Sequence, residues 1–224
     1  PRTCSATFTV NPAPPVSVTC PFTQTEAGCQ TQAQIDTKFA TWLTTINVSG
    51  GCNTMVTNNN TGAPNFCGGS SVVIFTVTSS CEPASTCTAS FNVNPAPGVI
   101  LTCPSNQTEA ACQTQADINS KFATWLSTVN VNGGCNPMVT NNNSGAPNFC
   151  GGTTTVVFTV TSSCASSSTC SAVFTVNNAP NLTLTCPANV SEAACQTQAQ
   201  INTKFAAWLS SVSTTGGCNP VVTN

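Results

Sequence analysis

The sequence predicts a mainly β protein: tandem β-sandwich repeats of 83 residues, each with one inserted amphipathic helix and each stapled by disulfides. Three observations carry this. Cysteines recur at a fixed step, with Cys4, Cys87 and Cys170 spaced by 83, Cys20, Cys103 and Cys186 likewise, and four further classes in the same register. Residues 11–93 laid over 94–176 share 59 of 83 positions without a gap, the signature of a repeat array. Within each repeat, short alternating or β-branched runs are interrupted once by a stretch of helical period.

The register sets the boundaries. Repeat 1 spans 11–93, repeat 2 spans 94–176, and 177–224 form an incomplete third repeat. Residues 1–10 (PRTCSATFTV) match Ala84–Val93 and Ser167–Val176, so they read as the last strand of a preceding repeat. Asn224 corresponds to Asn58 and Asn141, which stops the third copy short of its longest strand. The chain therefore reads as a window of a longer array. The alternative is a subunit of a self-assembling extracellular filament, whose open end accepts a strand from its neighbour.

Each repeat opens with a proline linker, NPAPPV, NPAPGV or NNAPNL, which favours extended backbone. Val16–Cys20 and, more loosely, Ile100–Cys103 alternate as a short first strand. From Thr31 to Asn47 the period changes. Ile35, Phe39, Trp42, Leu43 and Ile46 fall on one helix face, Thr31 with Gln34 fits a capping box, and Gly50–Gly51 supplies a stop. Trp42, Trp125 and Trp208 lie on this apolar stripe, which makes them core anchors rather than sugar platforms. Met55–Thr57 is a short strand, 58–66 a loop, Val72–Thr78 a buried β-branched strand and Thr86–Val93 a returning one.

Composition excludes whole classes of function. The chain has 4 Lys+Arg, 6 Asp+Glu and no His, so it offers no basic nucleic-acid groove, no His-based general base, no Ser-His-Asp triad and no zinc-type His cluster. One Glu per repeat (Glu26, Glu109, Glu192) cannot form a glycosidase pair. These glutamates read as charges near a helix N-terminus, and Lys38, Lys121 and Lys204 as exposed helix residues. No loop gathers the carboxylates of a calcium site, and the glycine pairs lack a phosphate-cradle context. No enzyme, metal or cofactor is expected. No apolar run reaches the ~18 residues of a membrane helix.

The 16 cysteines imply an oxidising, extracellular compartment. The bonded set is expected to be Cys20, Cys29, Cys52, Cys67, Cys81 and Cys87 in repeat 1, with Cys103, Cys112, Cys135, Cys150, Cys164 and Cys170 in repeat 2. Six cysteines allow 15 pairings. Within one repeat, Cys20 reaches Cys87 if the first and last strands are neighbours, and Cys29 with Cys52 would staple the helical segment. Cys67 and Cys81 then remain, about 45 Å apart along a straight strand, and pairing Cys81 with Cys52 is the alternative. In such schemes Cys4 needs a partner outside this sequence. A loop of Asn58, Asn59 and Asn60, repeated as Asn141, Asn142 and Asn143, is the candidate contact surface, with a capped turn as the plainer reading.

The strings CPxNxTEAACQTQAxIxxKFAxWL, GGCNPxVTNNNxGAPNFCGGTTTVxFTVTSSC and STCxAxFTVNPAP, which recur along the chain, resemble the Cys-rich hyalin-repeat-like (HYR-like) modules of Bacteroidota surface proteins. That resemblance covers the whole chain. It implies an Ig-like fold and an outer-membrane-associated place on the cell surface. It also implies export by the type IX secretion system and a role in cell adhesion and gliding motility as part of a long fibre. The partners expected are neighbouring repeats, surface polysaccharide and other copies in the fibre. A carbohydrate- or ligand-binding surface module is the competing role.

Overall fold

The structure, a computed structural model, describes residues 1–223. Asn224, the last position of the incomplete repeat, lies outside the described residues. Contacts divide the chain into two compact units. The first holds residues 1–100, 132–138 and 161–166, and the second holds 101–131, 139–160 and 167–224. The first unit thus combines residues 1–10 and the whole first sequence repeat with three short segments of the second, 94–100, 132–138 and 161–166.

In repeat 1 the elements run β1 (Ser17–Thr19), β2 (Gln24–Glu26), α1 (Gln32–Leu43), β3 (Asn47–Ser49), β4 (Met55–Asn58), β5 (Gly69–Thr78) and β6 (Ser85–Val93). A four-stranded sheet of order β2-β6-β5-β4 forms one layer. The β1–β3 ribbon and α1 form the other, giving a mainly β, disulfide-stapled sandwich with one helix in each repeat. β6 is antiparallel to β5, with Phe75 opposite Cys87, and parallel to β2, with Gln24 opposite Phe91 and Glu26 opposite Val93.

The period-2 alternation of β5 and β6 decides what is buried. Val73, Phe75 and Val77 on β5 and Ala89, Phe91 and Val93 on β6 turn inward. Ile35, Phe39 and Trp42 of α1 are buried against this sheet face. Phe91 is the hinge of the cluster: its ring stands edge-on to Phe39 at 5.3 Å and to Trp42 at 5.5 Å. The buried indole N–H of Trp42 donates to the Phe22 carbonyl at 2.8 Å, so the tryptophan is a core anchor without an unsatisfied donor.

The capping box at Thr31 and Gln34 is formed as the sequence predicts. The helix, however, ends at Leu43, short of Asn47. The Thr44 and Thr45 hydroxyls donate back to the carbonyls of Thr41 and Trp42. Residues 47–49 are instead paired with β1, so Ile46 packs on the core from beyond the helix.

Repeat 2 repeats the plan with β7 (Ile100–Thr102), β8 (Gln107–Glu109), α2 (Gln115–Leu126), β9 (Asn130–Asn132), β10 (Met138–Asn141), β11 (Gly152–Ser162) and β12 (Ala165–Val176). Its core of Ile118, Phe122, Trp125, Val156, Phe158, Ala172, Phe174 and Val176 matches the first residue for residue. The third repeat has β13 (Thr183–Thr185), α3 (Gln198–Leu209) and β14 (Ser213–Thr215). None of the described residues of α3 is buried.

Candidate functional site at the cysteine joints

The recurring chemistry of this chain is sulfur, and the structure keeps the expected Cys20–Cys87 pair and the alternative Cys52–Cys81 pair but takes the remaining cysteines outside their repeat. Cys20–Cys87 and Cys103–Cys170 link the first strand of each full repeat to its last. Cys29 does not reach Cys52. It bonds Cys135, 106 residues away in the next sequence repeat, and Cys112 bonds Cys218 over the same separation. Cys67 bonds Cys164, also in the next sequence repeat. Cys52 and Cys81, whose counterparts Cys135 and Cys164 take those partners, bond each other. Cys150, expected in a bridge, carries a free exposed thiol, as do Cys4, Cys186 and Cys195.

Local backbone explains how a Cys29-class residue reaches outward. Cys29, Cys112 and Cys195 all hold positive φ, at 66°, 64° and 68°, and so do Asn53, Asn136 and Asn219 beside the opposing class. The left-handed region is uncommon for non-glycine residues. Cys195 adopts it although it is unbonded, so the turn is set by the chain and not imposed by the bridge.

The proline linker is part of the same joint. Within the first unit, the Asn94 and Ala96 N–H groups donate to the carbonyls of Glu26 and Cys67, and the Gly134 N–H donates to the Pro97 carbonyl. The linker is therefore held from both sides by hydrogen bonds, as well as stiffened by proline. The glycine pair is needed there. Gly133 holds φ +74°, and a Cβ on it would collide with the Gly98 carbonyl. The same donation recurs from Gly51 to Pro14 and from Gly217 to Pro180.

Three lysines pair with three glutamates, one couple in each repeat. Lys38, Lys121 and Lys204 donate to Glu26, Glu109 and Glu192 at 2.5, 2.6 and 2.5 Å, which ties the segment before each helix to its middle. The lysines are exposed helix residues, as expected, and the pairing with the glutamates is an addition the sequence did not announce. The Lys121 ammonium, followed by the Gln107 amide, holds the Glu109 carboxyl down at about 2, and Glu26 and Glu192 are lowered by the same lysine contacts. Such carboxylates stay ionised and occupied. Among the described residues no group of three His, Cys, Asp or Glu side chains converges as a metal site, and no helix is long and apolar enough to cross a membrane.

The asparagine loop is a set of turns. The Asn58 side-chain oxygen accepts from the Asn60 N–H, Asn60 from Gly62, and Asn59 from Ile74 on β5. Asn141, Asn143 and Asn142 repeat this with Asn143, Gly145 and Val157. These side chains hold the loop to the sheet.

Only one sequence signal pointed toward the joints. Cys67 and Cys81 flank an extended strand that keeps them from bonding each other; the alternative of Cys81 with Cys52 is the one that forms, and Cys67 finds its partner in the next repeat.

No family model and no curated protein matches the chain. Solved structures give remote likenesses. The PcdhgB3 EC1-4 fragment is 14% identical, with 52% of this chain and 35% of that chain covered and a TM-score of 0.27. An I-band fragment of titin is 9% identical, with 76% and 68% covered and a TM-score of 0.28. The extracellular cadherin domains 1–4 of protocadherin gamma B7 are 9% identical, with 62% and 43% covered and a TM-score of 0.30. This chain spans about a third of the first and under half of the third.

Proposed function

We propose that the chain is a non-catalytic extracellular segment whose repeats serve as structural and adhesive beads of a long cell-surface fibre. The single observation that carries this is the cysteine framework. Bridges Cys29–Cys135, Cys67–Cys164 and Cys112–Cys218 each join one sequence repeat to the next. A fibre under load gains from joints that are covalent as well as packed, and disulfides persist outside the cell. Repetition supplies many identical surfaces, so weak contacts with surface polysaccharide or with other copies add up by avidity. The motif resemblance to HYR-like modules extends the reading to a gliding-motility adhesin like SprB, outer-membrane-associated and exported by type IX secretion.

Antibodies raised against this chain are expected to label intact cells of the source organism, on filaments that travel along gliding cells. Labelling that appears only after permeabilisation would contradict a surface fibre.

A further inference from the structure

Two classes of bridge line up end to end along the array. Cys20–Cys87 spans a separation of 67 residues, and Cys103–Cys170 repeats it one 83-residue step further on. Between these bridges the chain runs only from Cys87 to Cys103, through the end of β6, the proline linker and β7. Cys29–Cys135 and Cys112–Cys218 form a second series with the same step. Between those two bridges lie residues 112–135, which hold α2 and β9 and are crossed against the chain direction. The two routes share no residue.

We infer that these series are two covalent tracks that carry tension through the array and cap its extension. A repeat of 83 residues without bridges releases about 290 Å of chain when it is pulled straight, at ~3.5 Å per residue. Along the first track a repeat is taut after 16 residues and one bridge whose Cα atoms lie 5.9 Å apart, about 60 Å in all. Along the second it is taut after 23 residues and a bridge of 5.0 Å, about 85 Å. The shorter track bears the load, and the longer one takes it over where the first is cut.

The core lies off the first track. Ile35, Phe39 and Trp42 of α1 and Val73, Phe75 and Val77 of β5 are all inside the loop that Cys20–Cys87 closes. Tension bypasses that loop, so its unfolding adds no length. The part that can yield is 88–102, and it is pinned where it starts. Ala89, Phe91 and Val93 are buried, the Asn94 and Ala96 N–H groups donate to the Glu26 and Cys67 carbonyls, and the Pro97 carbonyl accepts from the Gly134 N–H. A repeat can therefore lose its fold under load and regain it while the fibre reaches no more than about a fifth of the length of the bare chain. No bond forms or breaks in the process. This goes beyond the surface-fibre reading, because it follows from which sulfurs are bonded and holds wherever the protein resides.

The test pulls the oxidised 224-residue chain by its two ends in optical tweezers, with Cys4→Ser, Cys150→Ser, Cys186→Ser and Cys195→Ser removing the four free thiols. The shortest covalent route then runs through residues 1–20, 87–112 and 218–224. With about 50 residues and two bridges in it, extension should stop at about 190 Å. Reductant should raise that limit about fourfold, to about 780 Å. Adding Cys20→Ser and Cys87→Ser removes the first track between repeats 1 and 2 and hands the load to Cys29–Cys135, which should lengthen the oxidised limit by only about 20 Å. Adding Cys112→Ser and Cys218→Ser instead leaves the first track alone as far as Cys170, and the limit should rise to about 320 Å. Bridges confined to single repeats would stop the parent near about 320 Å and the Cys20→Ser, Cys87→Ser chain beyond about 400 Å. Either of those lengths, or an oxidised chain that extends as far as the reduced one, would overturn the inference. None of them bears on the cell-surface labelling.

Discussion

Helices α1 and α3 are almost the same peptide, QAQIDTKFATWL and QAQINTKFAAWL. Both span 12 residues behind a threonine N-cap with a complete capping box, and both keep their Lys–Glu pair. Yet Ile35, Phe39 and Trp42 are buried in α1, and none of the described residues of α3 is. The helix is thus specified locally, by its cap and its residue types. The core is not local: it is supplied by β5 and β6, which lie 26 or more residues beyond the helix in sequence.

That contrast can be broken most forcefully in the core. Phe91→Ala or Phe174→Ala should destabilise its repeat by about 3–5 kcal/mol. Phe205→Ala in the monomer should stay within about 0.5 kcal/mol. Denaturant titration of the three variants reads the difference, and equal losses would mean that α3 is covered after all. Next in size are the joints. Replacing both Cys29 and Cys135 by Ser should cost about 2–4 kcal/mol, whereas Cys195→Ser should leave monomer stability unchanged.

Smaller again are the caps. Thr31→Ala and Thr197→Ala each remove a capping hydroxyl, worth about 1 kcal/mol. Because α3 lacks a packed face, circular dichroism should show the larger loss of helicity for Thr197→Ala. The smallest effect is electrostatic. The folded Glu109 carboxyl is held at about 2, below its ordinary value near 4.3. Its contribution is therefore present above about pH 4.3 and fades as the pH falls towards 2. Glu109→Gln should flatten that acid limb of the melting temperature, with little change at pH 2. Salt should shrink the effect, since the lysine is half exposed.

The parts legible from sequence share this local character. The helix start at Thr31, the anchoring of Trp42 and Trp125 and the strand of Val72–Thr78 follow from patterns a few residues long. The helix end was less legible, because Asn47–Ser49 pairs with β1 across the chain and no periodicity records that. Cys20–Cys87 could be reached by assuming that first and last strands are neighbours. Cys29–Cys135 could not, since 106 residues and a repeat boundary separate the two sulfurs. The Glu26–Lys38 pair escaped notice because β2 is only three residues long and left no alternating signature.

Central to this account is that consecutive sequence repeats are joined through sulfur as well as through the peptide chain. The most direct measurement cuts the peptide and leaves the sulfur. A specific protease sequence is inserted at Gly98, in the linker between the two full sequence repeats, and the oxidised protein is cleaved there. If Cys29–Cys135 and Cys67–Cys164 are the native bonds, the two halves run as one species until a reductant is added. If the bridges stay within repeats, the halves separate at once without reductant, and the account is wrong.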